Sequence, residues 1–465
     1  MSIFMWSFSK NQTNKMNLKE TLDKIKRSDS HKIKVAVADL EGILCGKYMR
    51  KEKFISALEG SFGFCDVVFG WDTDDELYEN SKITGWHTGY PDVEARIDPT
   101  TFRHIPWDND VPFFLADFSR ENGEDWAACP RSLLKQVRER SYKMGYKPIF
   151  SQEFEWFNFE ETPQSFADKN YRDPKPMTPG MFGYSILRTS LKSEYFNALF
   201  DEMEKFDVPL EGLHTETGPG VYEAAIQYGE ILESADRAVL FKTGTKEIAY
   251  RHGVMASFMA KWNAELPGCS GHVHQSLWDE EKGINLFYDE KNEMSSLMES
   301  YIAGQLTCLP YILPMIAPTI NSFKRLVEGA WAPTTLTWAR DNRTVALRSI
   351  TGSSKATRLE TRVVGSDTNP YLAMAACLAS GLYGIEKNLK LETPETIGNG
   401  YTDKNAKKLP TTLKSATEAM KNSDIPKELF GEAFVDHFVR TREWEVLKFE
   451  QHVSDWEIKR YFEII

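Results

Sequence analysis

Three short segments of this chain alternate at a period of two, with ionisable side chains to one side and mostly apolar ones to the other. In Gln152-Glu153-Phe154-Glu155-Trp156-Phe157, two carboxylates alternate with aromatic rings. His272-Val273-His274 repeats the spacing with imidazoles. Arg358-Leu359-Glu360-Thr361-Arg362 repeats it with guanidinium groups around a carboxylate. A strand puts residues i and i+2 on one face, about 6.6–7 Å apart. A core does not accept such charges unpaired, because their burial is costly. The pattern therefore predicts strands with one packed face and one face lining a wet, charged cavity. Two carboxylates at this spacing suit a pair of divalent cations, and two-metal sites mainly clamp phosphoryl groups.

The rest of the composition narrows the class. A chain of 465 residues with 41% apolar and 12% aromatic content is long and apolar enough for two or three domains and a large core. Its net charge of −12 argues against general nucleic-acid binding, which needs a basic face. Cys45, Cys65, Cys129, Cys269, Cys308 and Cys377 form no CxxC pair and read as reduced thiols. The most apolar stretch, 301–318, contains Gln305 and three prolines, so it is not expected to span a membrane. A soluble cytoplasmic protein is the expectation.

Residues 1–31 read as a leader and an N-terminal helix, 32–125 as one domain of short strands, and 126–465 as a second domain of strands alternating with long helices. KIKVAVADL, EARIDPTTF and VPFFLADF are expected strands. Pro130 opens a helix to about Lys143, proline suiting the first turn. Further helices are expected at 195–206, 234–251 and 369–387, a surface loop at 393–414, and helices in the tail from residue 429. Internal repeats and low-complexity tracts are absent from the sequence.

Chemistry concentrates in three clusters. Glu153 and Glu155 are joined by His214, Glu216 and Glu223, with Gly218-Pro219-Gly220 marking a bend that brings the last two carboxylates together. Oxygen ligands with one or two imidazoles favour Mg²⁺ or Mn²⁺ over zinc. The second cluster is Pro267-Gly268-Cys269-Ser270-Gly271-His272-Val273-His274-Gln275-Ser276, in which small residues let a substrate approach the backbone. The third is basic: Lys324, Arg325, Arg340, Arg343, Arg348, Lys355, Arg358 and Arg362. Arginine's fixed fork matches carboxylate and phosphate oxygens. Carboxylates for metals facing arginines for anions suit phosphoryl transfer from a nucleotide. A GxxxxGK[ST] loop is absent, and no GxGxxG follows a strand.

The segments SQEFEWF, HTETGPGVYE, GCSGHVHQSLWD, NSFKRLVEG, RDNRTVALRS and SSKATRLETRVVGSDTNPYLAMAACLASGL, taken in order, resemble the glutamine synthetase family. The resemblance implies an α+β protein: an N-terminal β-grasp domain and a catalytic domain built as an antiparallel half-barrel with helices. It implies a homo-oligomeric ring, usually a dodecamer, with sites between neighbouring subunits. It implies two or three Mg²⁺ or Mn²⁺ ions, ATP as co-substrate, and glutamate activated as γ-glutamyl phosphate before an amine displaces the phosphate. Carried over by motif, Glu155, Glu216 and Glu223 hold one metal, and Glu153, His272 and Glu360 the other. Arg325 and Arg362 grip the glutamate carboxylate and the γ-phosphoryl group, with Gly268 binding through its backbone. Arg343, Arg348, Lys355, Arg358, His274 and Ser276 line the nucleotide side. Asp92 and Asp72 are the aspartates supplied by a neighbouring subunit.

Two departures from the family pattern bear on the nucleophile. Ammonia-using members carry PGYEAP after the KR motif, with a glutamate that closes the site; here the segment is Glu328-Gly329-Ala330-Trp331-Ala332-Pro333, with Trp331 in the glutamate's place. The family's Asn-Gly before HxH is Pro267-Gly268. Both are similar to the branch that makes γ-glutamylpolyamines and γ-glutamylamides, so an organic amine or polyamine is the expected nucleophile. Ammonia, as in authentic glutamine synthetase, and a non-catalytic structural role are the alternatives.

Overall fold

The computed structural model describes residues 17–119, 125–291 and 293–465; the leader read at 1–16 lies outside them. Six strands form the first sheet: β1 (Lys32–Ala38), β2 (Leu44–Arg50), β3 (Phe62–Cys65), β4 (Asp92–Ile97), β5 (Arg103–Ile105) and β6 (Val111–Ser119). Their order is β2-β1-β6-β4-β3, with β5 also on β6. β6 is central and buried along its whole length, which explains its apolar run from Val111 to Ala116. The helix Lys51–Glu59 covers this sheet through Phe54, whose ring lies 4.8 Å from that of Phe114.

The second sheet has ten strands: β7 (Lys147–Phe159), β8 (Leu210–Thr215), β9 (Val221–Ile226), β10 (Gly229–Glu230), β11 (Met255–Ser257), β12 (Val273–Asp279), β13 (Ile284–Asn285), β14 (Trp338–Arg340), β15 (Leu347–Ile350) and β16 (Arg358–Thr361). Its main path is β14-β15-β16-β12-β7-β9-β8, antiparallel except for β14–β15. This is the expected mixed helix-and-sheet class with a half-barrel. Along β7, burial alternates from Lys147 to Trp156 as the sequence period requires. Phe154 and Trp156 are fully buried and pack against Phe241 of the helix Ile231–Arg251 and against Phe258. Glu153 and Glu155 lie on the opposite, half-buried face.

Behind the sheet, the helices Ser296–Ile316 and Pro370–Glu386 cross in contact. A Cβ on Gly304 would stand 2.3 Å from the Ser380 carbonyl oxygen, and one on Gly384 would stand 2.0 Å from that of Ser300, so only glycine fits either position. All but the last two residues of the stretch 301–318 lie within the first of these helices. Among the described residues, no helix is long and apolar enough to cross a membrane.

The helices at Leu18–Arg27, Pro130–Lys143 and Ser193–Lys205 match their sequence expectations, as do the tail helices Glu432–Gln451 and Asp455–Tyr461. Asn17 caps the first through a capping box with Glu20, and Pro130 occupies the first turn of the second. Sequence reading missed β2, β3, β5 and the helix Lys51–Glu59. The expected loop at 393–414 is interrupted by a 3₁₀ turn, Gly400–Thr402, and gives way to a helix at Leu413.

A buried charge cluster ties the two sheets together. Arg131 lies 2.8 Å from Asp236, 2.8 Å from Asp117 and 2.9 Å from Asp98. Asp117 lies on β6 and Asp98 directly follows β4, whereas Asp236 belongs to the helix behind β7. The Tyr371 hydroxyl donates to Asp236 at 2.7 Å.

Candidate active site

Cross-strand register assembles the acidic cluster. Glu155 on β7 sits opposite Glu223 on β9, and Glu223 sits opposite His214 on β8. The Gly218–Gly220 bend returns the chain so that Glu216 joins them; both glycines have positive φ. His214 Nε2 lies 3.4 Å from an oxygen of Glu216 and 3.4 Å from one of Glu223. The three groups offer ligand atoms within 4.8 Å of one another. Burial works against a charged imidazole, but hydrogen bonds to Glu216 and Glu223 raise His214 to about 9. Glu155 accepts the Ser270 backbone N–H at 2.7 Å. Burial, and then the charge of Glu223, push its carboxyl up to about 8.

A second group stands beside it. Glu153, His272 and Glu360 also offer ligand atoms within 4.8 Å of one another. His272 Nδ1 is 3.4 Å from Glu360 and 3.7 Å from Glu153, and His274 Nε2 is 3.3 Å from Glu153. Burial alone would raise Glu153, yet His274 and His272 hold it well below the usual carboxylate range. Burial likewise opposes the charge of Glu360, which Arg362 brings down to about 2. His272 falls to about 4, through burial and the nearby Arg362.

The arginines form the far wall. Arg348 donates to Glu360 at 2.9 Å, Arg362 pairs with the other Glu360 oxygen, and Arg358 donates to His274 Nδ1 at 3.2 Å. Arg343 is exposed on the rim, its carbonyl accepting Arg362 Nε at 3.1 Å. Lys355 is exposed. Arg325 is buried, donating to Ser270 Oγ at 3.1 Å and to the Val363 carbonyl.

Other expected residues stand differently. A Cβ on Gly268 would meet the Ala260 carbonyl oxygen at 2.5 Å and Arg325 Cγ at 2.7 Å, so this glycine serves close packing inside the chain. Ser276 is fully buried and accepts the Trp278 indole N–H at 2.9 Å. Lys324 turns away, over the Phe449 ring, and Arg340 pairs with Glu395. Asp72 is used within the chain: it accepts Trp444 Nε1 at 2.9 Å and caps the backbone of Asp74 and Glu76. Asp92 is exposed at the start of β4. Trp331 is 61% exposed with φ +57°. Such a conformation is rare for a bulky residue and costs about 1–3 kcal/mol.

Sequence reasoning missed Tyr184, which stacks on His214 with ring centres 4.4 Å apart. It lies in an irregular loop with no periodic signal. Asp66 was also missed: it is 1% exposed and neither carboxylate oxygen has a hydrogen-bond partner among the described residues.

The family model of the glutamine synthetase catalytic domain matches residues 127–461. The type-1 glutamine synthetase 2 of Dictyostelium discoideum is 54% identical, over 96% of this chain and 86% of its own length. The glutamate–isopropylamine ligase of a Pseudomonas species is 35% identical over 98% and 100%. The gamma-glutamylethanolamide synthetase of Streptomyces coelicolor is 37% identical over 94% and 93%. A solved GmaS/ADP complex superposes with a TM-score of 0.82 at 25% identity, covering 95% of this chain and 99% of the other. The chain belongs to the glutamine synthetase family, and it is a ligase of that type.

Proposed function

We propose that this protein uses ATP to phosphorylate the γ-carboxylate of glutamate and then joins it to an organic amine. The observation that carries this reading is the pair of oxygen-rich groups, Glu153/His272/Glu360 and His214/Glu216/Glu223, facing Arg348, Arg358 and Arg362 on one sheet. The donor set fits Mg²⁺ or Mn²⁺. His272 keeps a buried Nε2 without a hydrogen-bond partner among the described residues, and like-charged carboxylates crowd Glu155. Bound there, divalent ions neutralise the phosphates of the nucleotide. Glu155, Glu216 and Glu223, with His214 beside them, would hold one ion; Glu153, His272 and Glu360 would hold the other. Arg362 and Arg325 orient the glutamate carboxylate and the transferring phosphoryl group. Arg343, Arg348, Lys355, Arg358 and His274 neutralise the nucleotide side.

The organic-amine reading is supported by Trp331, which replaces a carboxylate needed to hold and deprotonate ammonium. Its exposed ring offers a face for a cation or an alkyl chain. Two relatives named above are named for organic amines, whereas the most identical of those three bears a glutamine synthetase name, which favours the ammonia reading. ATP hydrolysis measured with glutamate and a panel of amines, ammonia included, decides between them. Turnover is expected with alkylamines or polyamines. Glutamine synthesis at millimolar-scale ammonium, with no gain from any alkylamine, restores the ammonia reading. Trp331→Ala should raise KM for the organic amine by about 2–30-fold, the ratio for 0.5–2 kcal/mol, and leave γ-glutamyl phosphate formation in place. An unchanged amine KM removes Trp331 from the site.

The ring assembly is part of the same proposal. Asp92 is exposed on the small sheet and free to reach a neighbouring subunit, whereas Asp72 is engaged by Trp444. Sedimentation is expected to give a ring, with activity lost on dilution to monomers. A fully active monomer contradicts this.

A further inference from the structure

Behind the candidate site, a closed ring of side-chain hydrogen bonds joins two strands to a helix. Gln275 Nε2 donates to Thr361 Oγ1 at 2.8 Å. Thr361 Oγ1 donates to Gln305 Oε1 at 2.8 Å. Gln305 Nε2 donates back to Gln275 Oε1 at 2.7 Å. All three bonds run in one direction, so each polarises the next. The Tyr301 hydroxyl adds a bond to Gln275 Oε1 at 2.7 Å, and Gln305 Nε2 also reaches the Cys377 carbonyl at 2.8 Å. Tyr301 is 0% exposed, Gln275 1%, Thr361 1% and Gln305 2%. Apolar side chains of the same shape are often as stable in such a place, because a satisfied buried hydrogen bond gains little net free energy. Stability alone does not account for the ring.

Its position supplies a reason. Gln275 follows His274 on β12, and Thr361 lies between Glu360 and Arg362 on β16. The ladder between these strands covers only Val273↔Thr361, His274↔Glu360 and Gln275↔Leu359. A slip of two residues would keep every side chain on its own face yet move Glu360 by about 6.6–7 Å. Packing of Val273 and Leu359 opposes such a slip weakly, since any apolar contact will serve. A directional ring does not close in the slipped register.

We propose that Gln275, Thr361 and Gln305 are positioning residues. From behind the sheet they fix the register of β12 against β16, so that Glu360 meets His272 and Glu153 at ion-binding distance. This rests on the reading of Glu153, His272 and Glu360 as cation ligands. The test is Mn²⁺ titrated into the full-length protein without ATP or glutamate, with free and bound ion followed by electron paramagnetic resonance. Thr361→Val keeps the shape and removes both ring bonds made by the hydroxyl. It should weaken Mn²⁺ binding by about 10–100-fold, and Thr361→Ser should restore it. Gln305→Met breaks the ring from the helix side and should give the same loss if the valine variant does not fold. Glu360→Gln is the control for the ligand reading. If Thr361→Val and Gln305→Met melt earlier yet bind Mn²⁺ like wild type while Glu360→Gln does not, the ring is structural only. If Glu360→Gln also binds like wild type, the ligand reading fails and the positioning role falls with it.

Discussion

Glu155→Gln is expected to cut turnover by about 10²–10³-fold while making the metal-free protein more stable. The two effects have one cause. Glu155 sits opposite Glu223 and near Glu216, and burial with the Glu223 charge raises its carboxyl to about 8. The unfolded carboxyl titrates near 4.3 (approximately). Between about pH 4 and pH 8 the folded protein therefore keeps a proton that the unfolded chain has released. The contribution of Glu155 to the stability of the metal-free protein falls as pH rises through that window, since the unfolded carboxyl then binds fewer protons. The neutral amide removes the repulsion and should flatten this slope. It also removes an anionic oxygen from the proposed cation site, and the loss of one well-placed electrostatic stabiliser costs on the order of 10²–10³ in rate. Thermal melts from pH 5 to 8, with and without Mn²⁺, read the first effect, and ATP turnover with glutamate reads the second. Wild-type turnover by the variant would remove Glu155 from the phosphoryl-transfer machinery. An identical pH slope in both proteins would show that the carboxylate is not strained by its neighbours.

How much of this was legible in the sequence follows from which interactions are local. The period of two at Glu153–Trp156 survives unchanged in the burial of β7, because alternation is a property of the strand itself. The long helices were legible for the same reason, their faces being set by spacing within one segment. The small sheet was harder to read. β2 is a largely exposed edge strand, so its residues KYMR carry no apolar alternation, and the three-residue β5 exists only through its pairing with β6. In the candidate site, the sequence already grouped His214, Glu216 and Glu223 with Glu153 and Glu155, and the β8–β9 register places His214 directly opposite Glu223. Register is a long-range property, so that pairing, unlike the grouping, was not legible in the sequence. At Gly268 the sequence marked a close approach, and on the side where a Cβ would stand that approach is made by Ala260 and Arg325 of the same chain.

Arg131 gave no signal in the sequence, yet its loss carries the largest expected penalty on stability. It is 2% exposed and meets Asp98, Asp117 and Asp236; among the described residues, Lys135 is the only other cation close to the first two. Breaking a buried ion pair from one side costs about 3–5 kcal/mol, because it strands the partner charge. Arg131→Met takes the guanidinium from three carboxylates at the joint between the sheets, of which Asp98 and Asp117 keep Lys135, so at pH 7 the variant should lose about that much. The pH dependence separates this mechanism from simple loss of packing. In the wild type, burial works against Asp98, but Arg131 and then Lys135 hold its carboxyl well below the usual range. A depressed carboxyl contributes stability above its unfolded value of about 3.9, and this is lost as pH falls through the folded value. Without the guanidinium, burial favours the protonated carboxyls, so acid relieves the variant instead of harming it. Melting temperatures of the two proteins should differ most near pH 7 and converge toward pH 5. A gap that stays constant across that range would mean that Arg131 acts through its alkyl packing and not through its charge.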